Sequence, residues 1–179
     1  MKEKFSLKGA NIRDVRTLTG SALLIALAVI IDFFRLVISN LLEISFEFVA
    51  YAVAGILYGP IIGGMVGGIS DVIQYVIRPS GPFFPGFTLN AILSGFIFGL
   101  FLYNRKITIK RVALAVLVEG LVVTLLLTPL WLSIMYGAKI FALPRIIKFV
   151  AMFPLRVALI YGAGKVLEKQ RLTRKFKSV

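Results

Sequence analysis

Cysteine and histidine are both absent from the 179-residue sequence. Their absence excludes disulfide bonds, thiol nucleophiles, most zinc sites and acid–base catalysis by histidine. Acidic residues are scarce, with 8 aspartates and glutamates against 21 lysines and arginines. No G-x-x-x-x-G-K-[ST] phosphate-binding motif occurs, so the chain does not hydrolyse nucleotide through such a loop. The sequence therefore predicts a protein that is not an enzyme and holds no cofactor or metal.

Apolar residues make up 59% of the chain, and the mean hydropathy is +0.93. Soluble domains contain about 45–50% apolar residues, so the composition indicates an integral membrane protein. Six apolar segments predict an all-α membrane protein, a compact bundle of six transmembrane helices within a single domain of residues 1–179. The predicted spans are residues 17–39, 46–58, 61–77, 84–103, 112–136 and 145–167. The second is shorter than the ~20 residues that a span needs.

Basic residues cluster before the first span, between residues 105 and 111, and after the last span. The positive-inside rule places such clusters in the cytoplasm. We therefore expect cytoplasmic N- and C-termini and a multi-pass protein of the bacterial cytoplasmic membrane. This placement, together with contact to anionic lipid, explains the net charge of +13 without a nucleic-acid partner.

Small residues recur every four positions, most clearly at Gly55, Gly59, Gly63 and Gly67. This spacing puts them on one helix face and lets two backbones approach closely. Packing inside the bundle is the simplest interpretation of the glycines. Ala22 and Ala26, four apart in the first span, are equally compatible with internal packing and with docking of a partner.

Residues 78–90 form a loop rich in proline and glycine between two apolar segments. Its backbone cannot continue a helix, and at a membrane such a segment persists only where protein or water satisfies it. It contains a cation, paired aromatic rings and hydrogen-bonding side chains. We therefore predict a binding site for an aromatic, partly charged small molecule, with Arg78, Phe83, Phe84, Thr88 and Asn90 among its residues.

Polar side chains inside the predicted spans are costly and need an explanation. Asp71, Gln74, Tyr75 and Arg78 share one helix face that points to the outer end of the third span. The outer half also contains further cations, which suit an anionic ligand: Arg35, Lys139, Arg145 and Lys148. Simpler interpretations remain open: an Asp32–Arg35 ion pair, snorkelling of Arg145 and Lys148, and structural pairing of Glu119 with a cation.

Several motifs resemble the substrate-binding S components of energy-coupling factor (ECF) vitamin transporters. Residues 21–27 (Ser-Ala-Leu-Leu-Ile-Ala-Leu) are similar to their first helix, and residues 46–49, 55–60 and 67–71 to their second and third helices. Residues 81–89 (Gly-Pro-Phe-Phe-Pro-Gly-Phe-Thr-Leu), followed by Gly95, resemble the loop and fourth helix of the folate-specific branch.

The resemblance implies a bundle that captures a vitamin outside the cell and docks on a membrane T component with two cytoplasmic ATPases. It also implies that Ala22 and Ala26 form the docking face. For folate, we expect Asp71 and Gln74 to bind the pterin and Tyr75, Phe83 and Phe84 to enclose it. Arginines are expected to bind the glutamate carboxylates, the candidates being Arg35, Arg78 and Arg145.

Other functions remain open from sequence. The ligand of an S component of this kind is alternatively riboflavin, thiamine or pantothenate, although a cationic thiamine suits the outer cations poorly. A stand-alone carrier would transport without an ATPase partner. An intramembrane enzyme would use Asp71 and Glu119, but the predicted topology puts these two carboxylates at opposite depths.

Overall fold

The computed structural model describes residues 9–39, 42–79, 81–137 and 143–177. Its apolar stretches form six membrane helices, and five of them are long and apolar enough to cross a bilayer. The second is an 11-residue helix, as its short apolar segment predicts. The predicted all-α bundle is confirmed. In chain order the helices are α1 (Val15–Asp32), α2 (Phe48–Tyr58), α3 (Pro60–Ile77), α4 (Pro85–Leu102), a fifth helix described below, and α7 (Leu143–Lys177).

The first helix ends earlier than the sequence predicts. It was expected to continue to Ser39, but α1 ends at Asp32, where the amides of Phe33, Phe34 and Arg35 bond three residues back and tighten the chain. The next residues form β1 (Leu36–Ser39), which pairs with β2 (Leu42–Ile44) in an antiparallel hairpin. The β-branched Val37 and Ile38 favour a strand over a further helical turn.

The fifth helix consists of α5 (Ile109–Glu119), a π-helical segment (Gly120–Leu127) and α6 (Thr128–Tyr136). The sequence predicts a single span over residues 112–136, and the structure adds a π-helical segment within it. Thr128 Oγ1 donates to the Val123 carbonyl five residues back, at 2.7 Å. Pro129 has no N–H to donate to the preceding turn. Both effects favour the wider π-helical turn on this stretch.

Glycines bring α2, α3 and α4 into backbone contact. A Cβ added to Gly95 would collide with the Gly63 carbonyl, and one added to Gly55 would collide with the Gly99 backbone. Gly67 faces the Ala91 carbonyl in the same way. The predicted packing role of the glycine series is therefore confirmed, and these contacts make α2, α3 and α4 the closely packed part of the bundle.

Both described ends of the chain reach the same end of the bundle. The Ala10 amide bonds to the Tyr58 carbonyl at 2.8 Å, Gly59 lies against Tyr103, and Gly164 on α7 lies against Ile107. We call this the basic end, because cations concentrate there: Arg13, Arg16, Arg105, Lys106, Lys110, Arg111, Lys165 and Lys169.

Candidate ligand-binding cavity

A cavity of about 360 Å³ opens at the end of the bundle opposite the basic end. Its walls come from α2, α3, α4, α7 and all three parts of the fifth helix. Five of its lining residues lie near the helix ends farthest from the basic end, and we call them the mouth: Arg35, Arg78, Phe83, Tyr136 and Lys148. The volume falls within the range of about 300–1,000 Å³ that is typical of small-molecule sites.

The floor of the cavity contains a buried ion pair. Arg156 on α7 donates to both carboxylate oxygens of Glu119, at 2.7 and 3.3 Å, and Ser94 Oγ donates to Glu119 Oε1 at 3.0 Å. The Arg156 guanidinium also lies 4.5 Å from the centre of the Phe48 ring. Glu119 is therefore neutralised and held by three donors, and the interpretation that it pairs with a cation is confirmed.

Asp71 and Gln74 line the cavity nearer the mouth. Thr88 Oγ1 donates to Asp71 Oδ2 at 2.7 Å, and Gln74 Nε2 donates to the Ala28 carbonyl of α1 at 3.1 Å. Thr88 precedes Ser94 by six residues on α4, so Asp71 lies about 9 Å closer to the mouth than Glu119. The two carboxylates differ in depth, as predicted, yet they line one cavity.

Glu47 and Tyr51 lie at the start of the short helix α2 and also line the cavity. Glu47 is eleven residues from Tyr58 at the basic end, which places it about 16 Å from that end along the helix axis. Glu47 Oε2 and the Tyr51 hydroxyl are buried and have no hydrogen-bond partner among the described residues. Among the described residues, both side chains therefore present unsatisfied polar atoms in the cavity lining.

Aromatic side chains form the wall between floor and mouth. The Phe84 ring packs at 5.6 Å from Trp131 and at 6.0 Å from Phe87, and Tyr75 packs at 5.0 Å from Phe83. Tyr75 also donates to the Gly81 carbonyl at 3.1 Å, which fixes the loop between α3 and α4 against α3. The result is an apolar wall suited to a flat ring.

Asn90 connects α4 to α6 through both ends of its amide. Its Nδ2 donates to Thr128 Oγ1 at 3.1 Å, and its Oδ1 accepts from Trp131 Nε1 at 3.1 Å. Asn90 lines the cavity, but these two bonds give it a clear role in positioning the aromatic wall.

The mouth carries cations. Arg35 Nε lies 3.4 Å from Asp32 Oδ1, so the predicted ion pair is present. Arg78 is exposed and its Nη1 donates to the Phe33 carbonyl at 3.2 Å. Lys148 on the first turns of α7 lines the same cavity. Three positive groups at one opening favour an anionic group on the ligand.

The structure brings most of the predicted site residues together. Eight of them line the cavity: Arg35, Asp71, Gln74, Tyr75, Arg78, Phe83, Phe84 and Asn90. Thr88 is not a lining residue, but its hydroxyl donates to Asp71, which lines the cavity. The backbone of Arg145 belongs to α7, but its side chain lies outside the described residues, as does Lys139. Ala22 and Ala26 are exposed on α1, away from the cavity.

Sequence reasoning missed the polar residues of the lower cavity. Glu47, Tyr51, Ser94 and Arg156 were not predicted as site residues, although all four line it. A signal existed for two of them, since Glu47 begins an apolar segment too short to span and Arg156 interrupts a long one. Ser94 carries no such signal, because a lone serine is common in membrane helices.

Comparison with known proteins identifies the family of this chain. Residues 16–168 match the family described as "ECF transporter, substrate-specific component". The chain belongs to this family. It is 35% identical over 166 residues to the "Folate transporter FolT" of Clostridium novyi (strain NT), covering 92% of this chain and 96% of the relative. The FolT of Leuconostoc mesenteroides is 34% identical over 157 residues, covering 83% and 84%.

Its fold is also that of a solved S component. The "Crystal structure of FolT bound with folic acid" superposes with a TM-score of 0.81 at 37% identity, and the match covers 86% of this chain and 97% of that one. The family consists of transporter components that bind substrate, not of enzymes. The chain is accordingly a multi-pass protein of the bacterial cytoplasmic membrane.

Proposed function

We propose that this S component binds folate in the cavity and releases it inward when docked on an ATP-driven ECF module. The observation that carries the proposal is the order of groups along the cavity: acids and hydrogen-bonding groups deep, aromatic rings in the wall, cations at the mouth. Folate has the same order, with a donor-bearing flat pterin at one end and two carboxylates at the other. Its similarity to FolT bound with folic acid supports the same ligand.

In this proposal the pterin lies deep in the cavity and the glutamate carboxylates lie at the mouth. Phe84, Tyr75 and Phe83 offer ring faces and edges to the planar part of the molecule. Arg35 and Arg78 are fork-shaped donors that suit carboxylates, and Lys148 adds a third charge. Riboflavin is neutral and brings no anionic group to these cations. The charge of the mouth therefore favours folate over riboflavin.

The basic end faces the cytoplasm in this proposal, so that the cavity opens outside. The concentration of cations at that end supports this orientation through the positive-inside rule. A T component with two ATPases supplies the energy, since the sequence contains no nucleotide-binding motif of its own. Ala22 and Ala26 form part of the docking face. Their exposure on α1 supports this role and disfavours packing inside the bundle.

Isothermal titration of the purified, folded protein with folic acid tests the proposal. We expect saturable one-to-one binding with a submicromolar dissociation constant, and no comparable binding of riboflavin, thiamine or pantothenate. Tighter binding of one of these vitamins keeps the family and replaces the ligand. Failure to bind folic acid contradicts the proposed substrate.

A further inference from the structure

Three carboxylates line the cavity, and they differ in how far the protein already satisfies them. Glu119 accepts from Arg156 at both oxygens and from Ser94. Asp71 accepts from Thr88. Glu47 alone has an oxygen, Oε2, that is buried without a hydrogen-bond partner among the described residues. A buried acceptor left in this state is costly, so a ligand that supplies donors binds there with a large gain.

Tyr51 extends the same unsatisfied surface. It lies one turn after Glu47 on α2 and is only 3% exposed, yet its hydroxyl also lacks a partner among the described residues. A phenol at this position can both donate and accept. The pair thus presents an acceptor and a donor one helical turn apart, at the start of the short helix α2.

We propose that Glu47 and Tyr51 form the subsite that recognises the donor edge of a 2-aminopyrimidin-4-one ring. This inference rests on the proposed function, since the pterin of folate carries that ring. Its 2-amino group and adjacent ring N–H are two parallel donors that match a carboxylate, and its 4-oxo oxygen accepts from the Tyr51 hydroxyl. The ring then lies deep in the cavity and the glutamate carboxylates lie at the mouth.

This subsite revises the roles expected from sequence. Gln74 has its amide nitrogen committed to the Ala28 carbonyl, and Asp71 has one oxygen committed to Thr88. Both therefore act beside the ring and not as its main anchor. Glu47 is the specificity-determining carboxylate, because it binds only a ring that carries donors at both positions.

The test measures the binding of two ligands to each of two proteins. Wild type and Glu47→Gln are titrated with folic acid and with its analogue in which methyl replaces the 2-amino group. We expect Glu47→Gln to lower the affinity for folic acid about tenfold to hundredfold, and to lower that for the analogue by a clearly smaller factor, because the analogue keeps only the ring N–H as a donor to Glu47. Glu168→Gln is the matched control, since Glu168 pairs with Lys165 towards the basic end, far from the cavity. It should bind both ligands like wild type.

Equal losses for both ligands, or an unchanged affinity for folic acid, overturn the subsite while leaving the proposed function intact. Wild type that binds the analogue as tightly as folic acid overturns it too. Wild type that binds neither ligand refutes the proposed function and the subsite with it. Should Glu47→Gln fail to fold, Tyr51→Phe decides: about a fivefold loss for folic acid is expected, and an unchanged affinity refutes the subsite.

Discussion

Arg156 and Glu119 offer a sharp test of how the cavity floor is stabilised. In Arg156→Gln, the carboxylate of Glu119, only 2% exposed, keeps one described donor, Ser94. Breaking a buried ion pair from one side costs about 3–5 kcal/mol, because the remaining charge is left without compensation. For a chain of this size about 2–4 °C of Tm corresponds to each kcal/mol. We therefore expect Tm to fall by about 6–20 °C.

Removing the acid should cost less than removing the base. In Glu119→Gln, Arg156 still lies against the Phe48 ring and borders the cavity, where water reaches it. The double variant Glu119→Gln with Arg156→Gln removes both charges of the ion pair at the cavity floor. It should therefore be more stable than Arg156→Gln alone, a non-additive result that identifies the pair as the cause.

Thermal unfolding of the four proteins in one detergent, without ligand, measures this cycle. Additive effects would refute the reasoning, as would a fall of less than about 2 °C for Arg156→Gln. Either result would mean that water or lipid headgroups already compensate the Glu119 charge.

Three further predictions concern packing, docking and the ligand. Gly95→Ala should lower the unfolding free energy by about 1–3 kcal/mol, because its Cβ meets the Gly63 carbonyl, whereas Gly162→Ala, with open space around it, should be neutral or slightly stabilising; equal effects would contradict the packing argument. Ala22→Trp with Ala26→Trp should preserve folic acid binding and abolish uptake by the assembled transporter in liposomes; lost binding would mean that this face packs internally. Asp71→Ala should weaken folic acid binding about fivefold, and an affinity within twofold of wild type removes Asp71 from the site.

The number and order of the helices follow from the sequence, because hydropathy and the four-residue glycine spacing are local properties. Within the membrane, the backbone N–H and C=O groups of each long apolar segment must form hydrogen bonds with one another, and a helix achieves this. The glycines that join α3 to α4 could be predicted for the same reason. They are useful only where two helices meet.

The lower cavity could not be predicted, because it depends on how far from the basic end the short helix α2 begins. Nothing local to Glu47 shows that a hairpin of β1 and β2 precedes it and that α2 has only 11 residues. The partners of Glu119 are similarly distant in sequence, on α4 and α7. The π-helical segment depends on a side-chain bond from Thr128 and on the missing N–H of Pro129, which together compete with an otherwise ordinary helix.

The position of Trp131 has an optical consequence. It is the single tryptophan of the chain, and its indole packs against Phe84, whose side chain lines the cavity. The near-ultraviolet fluorescence of the protein therefore comes mainly from Trp131, which is separated from the cavity by the Phe84 ring. A pterin placed in the cavity absorbs in the range where indole emits and should quench it. Capture and release of ligand can thus be followed over time in the unlabelled protein.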